Sequence, residues 1–81
     1  MSPARRRAAN LLLVAGYPLA GWAGLGFAPM WRAGDTRRFL AFETGTALVV
    51  VGLALRRRPV EATLNAAVLL ALAAAWRRRA A

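Results

Sequence analysis

Within the apolar stretch 39–55, FLAFETGTALVVVGLAL, one residue can ionise: Glu43. A carboxylate inside a segment of membrane length is by default a candidate site for protons or a cationic substrate. Counted from Arg38 it lies five residues in, about 7 Å deep at ~1.5 Å per residue. Thr44, Thr46 and Tyr17 are the polar side chains that could accompany it. A structural role competes with this one. At such a shallow depth the carboxylate can reach back towards the interface, or pair with Arg32 or a loop arginine. Arg38 is badly placed for that, because i to i+5 is not a facing spacing on a helix. No second acid accompanies Glu43, and the structural role is therefore the main expectation, with chemistry the alternative.

The remaining side chains argue against an enzyme. The chain has no His, Cys or Lys. Disulfides, thiol chemistry and His-ligated haem or zinc are thereby removed, and no nucleophile has a base beside it. There is no paired-carboxylate arrangement and no cluster of metal ligands, so no cofactor is expected. The small residues at 21–26 are not a phosphate-binding loop, which would need a lysine after its last glycine.

The elements that hold Glu43 follow from charge and hydropathy. The chain has 81 residues, 59% of them hydrophobic, against about 45–50% in a soluble domain. Its formal net charge is +9, and all twelve basic residues are arginine. Nine of these form the triplets 5–7, 56–58 and 77–79. A nucleic-acid-binding fold would carry its charge along a helix face. Here the arginines stand at the ends of apolar runs and never within them, the placement of a membrane protein meeting anionic headgroups. Abundant Ala and Arg without Lys suggest a GC-rich genome and a bacterial inner membrane.

The expected fold is all-α, a three-helix antiparallel membrane bundle with short loops and spans at about 10–31, 38–55 and 60–76. A span of seventeen residues reaches roughly 25 Å, close to a hydrocarbon core of ~30 Å. Ser2 and Pro3 suit a helix N-cap and first position, and Pro18 is expected to bend the first helix. That run is too long for the apolar core of a signal peptide. Gly34 suits a helix stop and Asp35 the next N-cap. The TRRFL at 36–40 follows a span and lacks a spacer, so it is not a twin-arginine signal. Pro59 suits the start of the third helix, with Glu61 at the positive end of its dipole. The third run is Ala-rich, and a helix lying flat in the interface is the competing reading. It carries no charge between Glu61 and Arg77, whereas a flat helix needs a charged face.

Packing positions are also legible. Gly16, Ala20, Gly24 and Ala28 recur every four residues and would let another helix approach closely in lipid. On the middle helix Ala41, Gly45, Leu48 and Gly52 make one close-packing face, while Glu43, Ala47, Val50 and Ala54 make another. On the third, Val60, Leu64, Val68, Leu72 and Trp76 form a bulky stripe. Trp31-Arg32 and Trp76-Arg77 should meet on one side as interface anchors, together with Phe39 and Phe42.

Orientation is balanced. Three antiparallel spans put six arginines on each side, so the positive-inside bias is zero. Insertion both ways, an N-terminus held inside by the first helix, or a third helix that does not span would each account for the count. The expected function is a non-enzymatic accessory or assembly subunit, or a self-associating membrane protein, partnered by anionic lipid and by copies of itself or a larger complex. The alternative is a small oligomeric transporter or pore, holin-like in one version, that uses Glu43.

Overall fold

A computed structural model of the chain describes residues 2–80. It is all-α, with four helices: α1 Pro3–Leu25, α2 Phe27–Ala33, α3 Thr36–Leu55 and α4 Pro59–Ala80. Three of them are long and apolar enough, by length and composition, to cross a membrane: Pro3–Leu25, Thr36–Leu55 and Pro59–Arg79.

Each helix begins where local chemistry favours it. The Ser2 hydroxyl accepts the Arg5 backbone N–H at 3.1 Å, and Pro3 sits at the first position. Asp35 Oδ1 accepts the Arg38 N–H at 3.1 Å and caps α3. Glu61 falls in the first turn of α4, where Arg58 pairs with it at 3.3 Å.

The helix ends are equally local, with one departure from expectation. The stretch 10–31 is not one helix. α1 passes through Pro18 without ending, and the chain breaks at Gly26. The Pro18 ring removes one helix hydrogen bond and crowds the turn before it, and α1 nevertheless runs on to Leu25. At Gly26, by contrast, an added Cβ would lie 2.7 Å from the Arg38 guanidinium, so the break coincides with a side chain laid across the backbone. α2 stops at Gly34, whose φ of 70° is left-handed. α3 ends in a Schellman arrangement, with Arg58 N–H donating to the Leu53 carbonyl and Arg57 N–H to that of Ala54. The left-handed residue of that motif is Arg57, at φ 56°.

Packing centres on α3, which takes α1 along one face and α4 along another. The α1 face consists of Arg38, Phe42, Gly45, Val49 and Gly52. Up α1, Leu13, Gly16, Gly24 and Gly26 meet, in that order, Gly52, Gly45, Phe42 and Arg38, descending α3. The α4 face carries Phe39, stacked on Trp76, and Leu53, clustered with Val49 and Ala62. Both faces are rotated from the expected ones. Ala41 and Leu48 are only half-buried beside the α1 face, and Ala47 and Ala54 are exposed. The α4 stripe also differs: Val60, Leu64 and Val68 point outward, and Ala62 is the buried residue.

Candidate functional site

Glu43 lies one turn beyond Phe39 and one turn before Thr46, on the α3 face turned towards α4. It is half-buried, and its Oε1 is sealed from solvent without a hydrogen-bond partner among the described residues. No arginine pairs with it: the ion pair among the described residues is Arg58–Glu61. The polar neighbours named from sequence do not gather around it. Thr46 is buried and donates its hydroxyl to the Phe42 carbonyl at 2.8 Å, one turn back on its own helix. Thr44 is exposed, and Tyr17 is exposed on the outside of α1. Glu43 is therefore a lone carboxyl between apolar helices, and neither a polar cluster nor a salt bridge.

The small residues gather instead at the α1–α3 seam. A Cβ on Gly16 would lie 2.8 Å from the Gly45 carbonyl oxygen, and one on Gly45 would lie 2.5 Å from the Ala20 nitrogen. These are backbone atoms, so the two helices touch main chain to main chain there. Gly24 faces the Phe42 ring at 3.6 Å, and Gly52 faces Leu13 and Ala9. Ala28 departs from the row. It lies beyond the Gly26 break, exposed on α2, and lines a groove.

Trp31 and Trp76 meet edge to face, with ring centroids 5.3 Å apart. Phe39 stacks on Trp76 at 4.3 Å, and Phe27 bridges Trp31 and Phe42. Five aromatic rings from three helices thus tie one end of the molecule together. Each ring pair of this kind contributes about 0.5–1.5 kcal/mol beyond its buried area. Arg32 and Arg77 are exposed at this end.

Sequence reasoning missed the use made of the arginines. A helix leaves its last carbonyls without partners, and in hydrocarbon that costs several kcal/mol per group. Arg38 of α3 donates to the carbonyls of Trp22 and Ala23, at 2.7 and 3.2 Å, where α1 ends. Its guanidinium also lies 4.4 Å above the Trp22 ring. Arg79 of α4 donates to the carbonyls of Trp31 and Arg32, at 2.8 and 3.2 Å, where α2 ends. Arg5 of α1 donates to the Leu55 carbonyl at 2.8 Å, where α3 ends. Arg56 reaches the Asn10 side chain. Each of these helix ends is closed by an arginine from a different helix. The available signal was an arginine standing opposite a helix terminus in the expected topology, a place where a guanidinium complements the negative end of the dipole.

These features define an all-α chain with three helices of membrane-spanning length, closed at its helix ends by arginine and packed through glycine. No known family model, curated protein or solved structure matches it.

Proposed function

We propose that the chain is a three-span antiparallel integral membrane protein of a bacterial inner membrane, and that it serves as a non-enzymatic accessory or assembly subunit or associates with copies of itself. One observation carries this reading: α4 meets α3 along its length and α2 only at its C-terminal end, and among its described side chains only Ala62 is buried. Val60, Leu64, Val68 and Leu70 face outward, 71%, 62%, 49% and 66% exposed. In lipid, helices hold together through packing and hydrogen bonds and not through the hydrophobic effect. A helix with so little packing gains most from a further helix on its free face. Mild-detergent purification of the full chain tests this, with a partner at fixed stoichiometry or a discrete homo-oligomer as the expected result. A lone monomer would overturn it. Topology reporters on the 56–58 loop and at the C-terminus should report opposite sides; same-side reporters would remove the third span.

The second reading, a small transporter or pore, draws on the unpartnered Glu43 Oε1. Under it, Glu43→Gln abolishes proton- or cation-coupled flux in liposomes while insertion stays intact. Wild-type flux from that variant would end this reading.

A further inference from the structure

We propose that the groove between α2 and α4 is a binding site for one anionic phospholipid, an acyl chain lying in the groove and the phosphate on Arg32; the proposal rests on the membrane reading above. The groove is shallow and open along its outer side, with a volume of about 410 Å³, and is lined by Phe27, Ala28, Trp31, Arg32, Leu72 and Ala75. That volume lies near the lower end of the ~300–1,000 Å³ of small-molecule sites, which suits one chain and not a whole lipid. Five of the six lining residues are apolar. Ala28 and Ala75 are the small ones that leave the space open, and Phe27 and Trp31 are fixed by the ring cluster described above.

The polar end is what selects the headgroup. Arg32 is exposed and carries no salt bridge among the described residues. Arg79 is anchored on the backbone carbonyls of Trp31 and Arg32, which places a second guanidinium at the C-terminal end of α2. The only acid in the adjoining α2–α3 loop, Asp35, is engaged as the α3 N-cap. Arginines 32, 37, 38, 77, 78 and 79 stand at this end with Asp35, and Glu43, the next acid along α3, pairs with none of them among the described residues. A guanidinium matches phosphate oxygens in a two-pronged contact, and basic pockets between membrane helices take anionic headgroups. A zwitterionic lipid brings its own cation to the same place and loses most of that attraction.

The test is native mass spectrometry of the delipidated full chain in mild detergent, titrated with phosphatidylglycerol or phosphatidylcholine of identical acyl chains. One phosphatidylglycerol should bind, about fivefold tighter than phosphatidylcholine, the gain that one arginine near an anionic headgroup supplies. Arg32→Gln should remove that preference. Ala28→Trp, at an exposed position, should fill the groove and abolish binding of either lipid; Ala28→Leu serves if the larger side chain disturbs folding. Leu70→Trp, on the outer face of α4, should bind as wild type. Equal binding of the two lipids, full binding by a folded Ala28 variant, or displacement by millimolar inorganic phosphate would each overturn the site. Alkaline carbonate extraction separates the two levels. A chain that resists extraction but shows no lipid preference sinks the lipid site alone, and a chain released by carbonate sinks the membrane reading.

Discussion

Gly45→Ala should loosen the molecule at its tightest point. The added Cβ would sit 2.5 Å from the Ala20 nitrogen, 2.9 Å from the Gly16 oxygen and 3.0 Å from the Ala20 Cα. All three are backbone atoms of α1, so no side chain can rotate away. Ordinary contact begins near 3.4 Å, so α1 must withdraw by about 1 Å, a gap at which facing atoms lose a quarter to a half of their contact energy. Overpacking of this kind costs about 1–3 kcal/mol, and rigid neighbours place it near the upper figure. Removing a glycine from a helix returns about 1 kcal/mol. The net loss is about 2 kcal/mol, roughly a thirtyfold drop in the folding equilibrium. The assay is unfolding of the full chain in maltoside micelles by added dodecyl sulfate, followed by tryptophan fluorescence. Gly21→Ala is the internal control, since a Cβ there meets nothing within 4 Å and the change should stabilise. A Gly45→Ala midpoint at or above wild type, or a Gly21→Ala midpoint that falls with it, would refute the close backbone approach.

Two more changes follow from the helix ends. Arg57→Gly should raise the unfolding free energy by about 1 kcal/mol, because a left-handed φ is costly for an L side chain and free for glycine; the same dodecyl sulfate titration reads it, and a fall would mean that the Arg57 side chain has a partner. Arg38→Ala should cost about 2 kcal/mol by uncapping Trp22 and Ala23 and losing the ring contact, and Arg38→Lys should recover only part of it. Full rescue by lysine in the same assay would deny the two-pronged cap.

The three long apolar helices were legible because charge is confined to their ends, and Ser2, Gly34, Asp35 and Pro59 mark boundaries through rules that act within a few residues. The break at Gly26 was only partly legible. Pro29 has no N–H to give the Leu25 carbonyl and so belongs in the first turn of a new helix, while Arg38, which lies against Gly26, is twelve positions along the chain and brought close only by the fold. Packing faces were half legible. Gly45 and Gly52 announce an approach by being small, but spacing alone does not say whether the contact is centred on Ala41 or on Phe42, and the structure centres it on Phe42. The candidate site fared similarly: Glu43 stands out by type, whereas the engagement of Thr46 with its own helix depends on a rotamer, which sequence does not carry.

The same contacts bear on the arginine-only composition. Base composition explains why lysine is scarce across a genome, but it places no residue. Arg38 and Arg79 each serve two carbonyls of one helix end, and Arg38 also lies over a ring. A planar guanidinium can do all three, whereas an ammonium offers a compact charge suited to one acceptor. One member of each triplet reaches another helix: Arg5 and Arg79 its carbonyls, and Arg56 the Asn10 side chain. The others are left at the ends, where Arg58 pairs with Glu61. The triplets 5–7 and 77–79 therefore each combine one helix-capping arginine with neighbours left exposed. Because capping arginines stand at both ends, the even split of charge across the molecule follows in part from closing helix ends on both sides, whatever the orientation of the chain.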